Sequence, residues 1–505
     1  MADIGRILLL NAPIFSIEKK HFHAANYACY PPLGLVSIAS RIKNSFPEIE
    51  VKILDGELHT SEEIEKEIIS FKPQVFGIST LTTTYFNALE YAKLAKNAGV
   101  QHIVLGNDHA SFFPELILRN RKFIDYVIVG DNGHIDFCNF IYSLNNNRNV
   151  FQNVNNIFGR LNGNVIQGTK NNSSLETTNC SIIDIPNYDI LGFEELKKYW
   201  RNYNNDFSEF HKFYMRPLTI NNAKGCSNGK NRCLYCHIYD LKPNWGNPSF
   251  FWESIYLYKN KYGANLFFEV CDNFSGMKVY IDNLISTMPN WFSDSEIEII
   301  VYSRAQDIVE DHLLIEKFKK LHITRVNVGL ESGNDFSLRT YRKGHPVGME
   351  AYVNKKAVEI IANAGIQIHT SFILGCLGET YNSISDTRAF IEWLTDFNNI
   401  VAIEISSLYP VPNSPSWDIL IGNLSTKYYR NLLGYLNKIG LKNIESVWNE
   451  ARNSFSEHDF IDVKYASTLW LDNFTFLSSK VINDEICQLN KLVDSKKVIN
   501  TGSYI

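Results

Sequence analysis

Three of the chain's nine cysteines lie in "CSNGKNRCLYC": Cys226, then six residues, Cys233, then two residues, Cys236. Three thiolates from one loop suit iron or zinc. A structural zinc site takes four protein ligands. His237 is a nominal fourth, but its immediate adjacency to Cys236 makes it awkward for both side chains to reach one small ion. No second CxxC pair exists to complete a four-cysteine site. An iron–sulfur cluster is usually held by four thiolates. With three, one iron stays open to a small molecule, which makes a site for chemistry. Spacing by itself leaves a cluster, a zinc site and coincidence open, in that order. Cys29, Cys138, Cys180, Cys271, Cys376 and Cys487 are scattered and read as structural.

The elements that must carry this loop show in the hydrophobic pattern. Over the first 144 residues, apolar runs ("RILLLNAP", "VKILDG", "VFGIST", "HIVLGN", "YVIVGD") alternate with amphipathic segments of helical period. That alternation predicts a doubly wound parallel sheet, Rossmann-like, with ligands at the carboxyl ends of its strands. Residues 145–206 are rich in Asn and Gly and read as a linker with short strands, including a hairpin around Leu161–Gly163. From 207 to 419 the alternation resumes in "PLTINNA", "ANLFFEVCD", "EIEIIVYSRA", "ITRVNVGLES", "IQIHTSFILG" and "VAIEISSLYP". Six such strands predict a partial (βα)6 parallel barrel, whose active site belongs at the carboxyl ends of its strands. The three cysteines follow the first of these strands. Residues 420–505 read as a small helical C-terminal domain.

The bulk composition excludes some classes. The 505 residues are 45% hydrophobic and 20% charged, with a formal net charge of -5, so no broad basic surface points to nucleic acid. The N-terminal apolar run, Ile7 to Leu10, is too short for a signal core, and no stretch reaches the roughly 18 apolar residues of a spanning helix. A cytoplasmic protein with reduced thiols and no membrane partner is expected.

The cysteine loop after the first strand, with Tyr235 just before the last Cys, resembles the radical S-adenosylmethionine superfamily. There, three cysteines hold a 4Fe-4S cluster whose open iron is chelated by S-adenosylmethionine. The resemblance covers most of Arg216–Pro415, and it implies roles for several further residues. Tyr235 would lie beside the cosubstrate. Asp272, with Asn273, stands where polar atoms meet its amino group, although the Gly-Gly-Glu form of many relatives is absent. Ser303 and Arg304 end the third strand, where a basic residue meets its carboxylate. Glu331 and Ser332, in "VNVGLESGNDFSLRTYRKG", end the fourth strand near the ribose. Gly375, in "SFILGCLGET", would flank the adenine. The usual first spacing between cysteines is three, so Ser227–Arg232 is an expanded loop. It is expected to be a solvated detour, with contact to reductant or substrate as the alternative.

The N-terminal domain resembles cobalamin-binding domains fused in front of radical enzymes. Ser79, Thr80 and Leu81 end the third strand, and Gly106 follows 27 positions after Ser79, as in the Ser-x-Leu…Gly-Gly signature, with Asn107 in place of the second Gly. "PPLGL" (with Pro32, Leu33 and Gly34), "GNDHASFFPE" (with His109) and "DYVIVGDNG" (with Gly130 and Gly133) resemble the other cobalamin-lining segments. The Asp-x-His-x-x-Gly motif is absent, so no imidazole is expected below cobalt, and His59 is expected at the surface.

Together the resemblances imply a cobalamin-dependent radical S-adenosylmethionine enzyme using a 4Fe-4S cluster, S-adenosylmethionine and cobalamin. Its implied reaction is methyl transfer from methylcobalamin to an unactivated carbon, or to phosphorus, of a small-molecule or peptide substrate, through a 5′-deoxyadenosyl radical. An electron donor such as flavodoxin or ferredoxin is implied. Rearrangement, ring contraction or cyclisation with the same cofactors is the first rival, and a non-catalytic zinc- or cobalamin-binding regulator the second. Tyr409, Asn413, Trp417, Tyr428, Tyr429 and Trp470 are candidate pocket walls, with core roles expected for each.

Overall fold

The computed structural model describes residues 4–14, 28–168, 185–239, 241–344, 346–424, 427–441, 444–455, 458–459, 461–496 and 498–500. Cys180 lies outside them. The chain divides into two compact units, residues 1–205 with 457–461, and residues 206–456 with 462–505. Among the described residues no helix is long and apolar enough to cross a membrane.

In the first unit, β1 (Arg6–Asn11), β2 (Glu50–Asp55), β3 (Val75–Ser79), β4 (His102–Gly106), β5 (Tyr126–Ile128), β6 (Ile157–Leu161) and β7 (Asn164–Gln167) form one sheet in the order β2-β1-β3-β4-β5-β6-β7. β1 to β5 are parallel, as expected, and β6 and β7 join antiparallel at one edge. Helices flank this sheet, so its strands are buried on both faces and read as continuous apolar runs; Leu8, Leu9 and Leu10 are at most 1% exposed. The flanking helices start on local chemistry: Thr60 and Glu63 form a reciprocal capping box before Ser61–Phe71. Strand order reverses between β1 and β3, and such a switch point opens a crevice at the carboxyl ends.

The segment read as a linker holds more regular structure than its composition suggests. The expected hairpin is the β6–β7 turn, where Asn162 and Gly163 both take positive φ (51° and 83°), the Asn-Gly pattern of a type I′ turn. Further on, Phe193–Phe207 is a helix, and Tyr199 donates from its hydroxyl to Asp55 Oδ2 at 2.9 Å. His59 is half-buried, with Nδ1 at 2.9 Å from Asp55 O and Nε2 at 3.5 Å from Glu195, rather than at the open surface.

In the second unit, β8 (Pro217–Ile220), β11 (Leu266–Glu269), β12 (Glu298–Ser303), β13 (Ile323–Glu331), β14 (Gln367–Leu374) and β15 (Ile400–Ser407) are the six expected parallel strands, in sequence order across the sheet. A two-residue β16 (Ile499–Asn500) extends the β15 edge. β8 and β16 are the outer strands, so the sheet stays open. Between β8 and β11, the short strands β9 (Ala223–Lys224) and β10 (Asn244–Trp245) pair antiparallel and pinch off the loop that holds the three cysteines. After β15, helices Pro415–Leu420, Lys427–Lys438, Ile444–Phe455, Val463–Phe474 and Ser479–Ser495 follow, as the helical pattern predicts.

Candidate functional site

The cysteine loop leaves the carboxyl end of β8 and is held by its neighbours on several sides. At its base, the Gly225 amide donates to Asp272 Oδ2 at 2.7 Å. Gly225 has φ 85°, and a Cβ there would collide with Lys242 O, so this turn demands glycine. Buried Asn273, just beyond β11, donates to Ser227 Oγ at 2.9 Å, and Arg304, just beyond β12, reaches the same hydroxyl at 3.2 Å. Asn228 Nδ2 donates to Arg342 O at 3.0 Å, and Arg342 donates to Asn231 Oδ1 at 3.0 Å. On the far side, Arg232 donates to Asn413 O, Asn413 Nδ2 donates to His237 O at 3.1 Å, and the Ser416 amide donates to Leu234 O at 2.8 Å. The side chains of Ser227, Asn228, Asn231 and Arg232 thus have partners beyond β11, β12 and β15 and at the end of helix Asp335–Tyr341, while Ser227 and Asn231 stay exposed.

The three sulfurs act on one another electrostatically: Cys233 contributes to the shifts of both Cys226 and Cys236. Burial pushes the Cys226 thiol up, and the Cys236 thiol up to about 12. Such thiols give up their protons to a bound metal rather than to water. Three thiols on one loop, close enough to act on one another, are a donor set that an iron–sulfur cluster can use.

Behind the cysteines lies a buried charged group. Glu331 ends β13 with φ 61°, at a register shift between β13 and β14 that re-aims its side chain. Its Oε1 accepts from the Tyr235 hydroxyl at 2.7 Å and from Lys343 Nζ at 2.9 Å, and Lys343 also reaches the Tyr235 oxygen at 3.1 Å. Burial disfavours the Lys343 ammonium, but Glu331 and then Cys233 outweigh it, so its pKa stands above the ordinary lysine value. Burial, and then Glu331, push the Tyr235 phenol well above its usual range. Lys343 and Asn228 were not singled out from the sequence, since a lone Lys or Asn in a loop carries no periodic or spacing signal.

The other residues expected at S-adenosylmethionine fall into two groups. Asp272 is exposed and Arg304 partly accessible, both beside the cysteine loop. Ser332 and Gly375 are placed otherwise than expected. The Ser303 hydroxyl is buried with no partner among the described residues. Ser332 is 2% exposed and pairs with Thr387 Oγ1 at 2.8 Å. Gly375 (φ 96°) is buried, donates to Glu379 Oε2 at 3.0 Å, accepts from Trp470 Nε1 at 2.8 Å, and has no room for a Cβ beside Leu471. Trp417, Tyr429 and Trp470 are core residues, and the Tyr428 hydroxyl donates to Arg339 O at 2.8 Å. Tyr409 is half-buried, and Asn413 holds the loop as described.

Sequence reading also passed over a polar group on one face of β12 to β15. Tyr302, Asn327 and His369 are paired in register across three strands, and Glu404 pairs with Ser371 one step further on. Tyr302 stays 40% exposed. Burial raises the pKa of Glu404, with Glu331 adding to it, and Glu404 in turn acts on Tyr302, three strands away.

In the first unit, the carboxyl ends of β3, β4 and β5 bring Ser79, Leu81, Gly106, Asn107, Gly130 and Gly133 to one accessible edge. Asn107, at φ 74°, donates to Ser79 Oγ at 2.9 Å and accepts from the Asp108 amide at 2.8 Å. Among the described residues, a side chain at Gly34 or Gly133 would meet nothing within 4 Å, and at Gly106 only Ile128 O, at 3.7 Å. Pro32 and Leu33 are half-buried beside Gly34. This open, side-chain-poor edge fits a large planar cofactor. Thr80 and His109 depart from the expectation. Thr80 is fully buried, with its hydroxyl on Gly106 O at 2.8 Å. His109 is also fully buried, stacked on Tyr85, with Nδ1 at 3.2 Å from Thr82 Oγ1 and Nε2 at 2.7 Å from Asp459 O. Burial lowers its pKa to about 4.

Residues 24–135 match the family model described as a B12 binding domain. The chain is 32% identical over 198 residues to the uncharacterized methyltransferase PH0819 of Pyrococcus horikoshii, a match covering 38% of this chain and 40% of that protein. It is 23% identical over 419 residues to the anaerobic magnesium-protoporphyrin IX monomethyl ester cyclase of Synechocystis sp., covering 81% of this chain and 75% of that one. Its fold is similar to that of the radical S-adenosylmethionine methyltransferase TsrM from Kitasatospora setae, solved with cobalamin and a [4Fe-4S] cluster (TM-score 0.61, 13% identity, 83% of this chain and 78% of that one). The fold and the first unit thus define a B12-binding domain followed by a six-stranded parallel barrel. TsrM, a radical S-adenosylmethionine enzyme solved with cobalamin, shares this fold.

Proposed function

We propose that this chain is a cobalamin-dependent radical S-adenosylmethionine methyltransferase acting on a carbon or phosphorus of a small-molecule or peptide substrate. The observation that carries the reading is a loop with three thiols and no fourth, at the carboxyl end of the first strand of a parallel barrel. When bound, the cluster supplies the electron that cleaves S-adenosylmethionine, and methylcobalamin supplies the methyl group. The chain's part is placement. Cys226, Cys233 and Cys236 would hold the cluster. Asp272 and Arg304, accessible beside that loop, orient the amino and carboxylate groups of the cosubstrate. Lys343, Glu331 and Tyr235 back the loop and keep water from its inner side. Ser79, Leu81, Gly106, Asn107, Gly130 and Gly133 receive cobalamin. A flavodoxin- or ferredoxin-type protein is the electron donor in this reading. The methyltransferase names of the Pyrococcus relative and of TsrM support methyl transfer.

Anaerobically reconstituted protein, given S-adenosylmethionine, methylcobalamin and dithionite, is expected to release 5′-deoxyadenosine. Replacing Cys226, Cys233 and Cys236 together by Ala is expected to abolish that release, and retained cleavage would sink the cluster assignment. A colourless protein holding one zinc would favour a regulator instead. The long match to a cyclase favours a second reading, ring formation without methyl transfer. Methylcobalamin labelled in its methyl group separates the two, since label enters the product only in the first.

A further inference from the structure

We propose that Ser227–Arg232 tunes the cluster's reduction potential, with Asn228 donating a hydrogen bond to the Cys233 sulfur. The proposal rests on the reading of the three cysteines as cluster ligands. Asn228 Nδ2 lies 3.5 Å from Cys233 Sγ, 3.4 Å from Asn231 O and 3.0 Å from Arg342 O. The Arg342 carbonyl settles which way the amide points, because a flipped amide would set oxygen against oxygen with no proton between them. One N–H is thereby committed to Arg342, and the second is left to the sulfur and Asn231.

The donor is also fixed in place. Arg342 adopts φ 57° at the end of helix Asp335–Tyr341, which turns its carbonyl toward the insert, and its guanidinium returns to Asn231 Oδ1 at 3.0 Å. Gly344 has φ 83°, and a Cβ there would sit 3.2 Å from Asn228 Oδ1, so glycine leaves room for the amide. Ser227, the preceding residue, is held by Asn273 and Arg304. A three-residue spacing between the first two cysteines would end before Asn231 and so lack the contact between Arg342 and Asn231. The same short connection carries Lys343, whose charge also acts on the Cys233 sulfur.

A hydrogen bond to a ligand thiolate withdraws charge from it and favours the more negative, reduced cluster, which raises the potential. The step concerned is a one-electron reduction of the cluster by an external donor, dithionite in the test, with no bond made or broken in the protein.

The experiment is an anaerobic redox titration of the reconstituted full chain, followed by the electron paramagnetic resonance of the reduced cluster, with iron content measured in parallel. Asn228→Ala is expected to keep its iron but to be reduced only at a more negative potential. At the wild-type midpoint its reduced fraction is expected to fall at least twofold. Asn228→Asp, which has no side-chain N–H, is expected to shift further in the same direction. Equal potentials in wild type and Asn228→Ala would overturn the proposal. So would iron loss in both Asn228→Ala and Asn228→Ser, since the amide would then serve assembly. A wild-type protein that takes up no cluster would instead overturn the cluster reading.

Discussion

At the scale of single residues, buried ionisable groups make predictions in two different pH ranges. Lys343 and Glu331 are 2.9 Å apart, with side chains 7% and 4% exposed. Removing one partner strands the other charge, so Lys343→Met is expected to destabilise the second unit by about 3–5 kcal/mol in urea unfolding. Because the folded-state pKa of Lys343 is raised, its contribution is fully present below pH 10.5 and is lost only as pH rises beyond that. Glu269, at the end of β11, behaves differently. It accepts from the Asn222 amide at 3.2 Å, but burial raises its pKa from 4.5 to about 8. Between those values the folded state binds the proton that the unfolded state has lost, so stability falls as pH rises from 4.5 to 8. Glu269→Gln is expected to remove that slope while its amide oxygen still accepts from Asn222. Unfolding midpoints across this range test it, and an unchanged slope would contradict the assignment.

At the scale of elements, close approach decides more than propensity. Gly77, in the middle of β3, would with a Cβ meet Leu9 Cδ2 at 2.8 Å and Phe137 Cε2 at 3.0 Å. Gly77→Ala overpacks a strand buried on both faces and is expected to cost about 1–3 kcal/mol, read as a lower thermal midpoint of the first unit. The cysteine loop makes a parallel case with a different readout. A Cβ at Gly229 would collide with Leu241 O, so Gly229→Val must move the segment between Cys226 and Cys233. This loop lies outside both sheets, so the expected outcome is reduced iron uptake on reconstitution with little change in thermal midpoint.

At the scale of the whole molecule, the first unit is not one continuous stretch of chain. Residues 457–461 belong to it, although they stand between helices of the second. Asp459 is the anchor: it accepts from Tyr85 at 2.6 Å, Arg121 at 2.7 Å and Asn120 at 3.0 Å, and its carbonyl meets His109. Burial opposes its charge, but the Arg121, Tyr85 and Asn120 donors hold its pKa below the ordinary 3.8. Its contribution is therefore present above pH 3.8 and lost as pH falls below that. Asp459→Ala is expected to cost about 2 kcal/mol, a figure discounted because Arg121 is a third exposed. Faster proteolysis of the first unit near Tyr85 would accompany it, and unchanged protection would count against this role.

The sequence by itself determined the two parallel sheets, because a strand buried on both faces must be apolar along its whole length, and that pattern survives in "RILLLNAP" and "EIEIIVYSRA" alike. It also determined the three thiols, since ligand chemistry is written in residue type and local spacing. The linker was less legible: Asn-rich composition hid a helix whose burial comes from partners such as Asp55, distant in sequence. Among the single residues, His109, Thr80, Ser332 and Gly375 carried the right residue types for a ligand, yet each is committed inside the protein. Only the tertiary structure decided that, because whether a hydroxyl, an imidazole or a missing side chain faces a ligand or a core neighbour depends on what packs against it. The six-residue insert shows the same division. Its length could be read from the sequence, but its partners on β11, β12 and the chain after β13 meet only when the barrel brings those strand ends together.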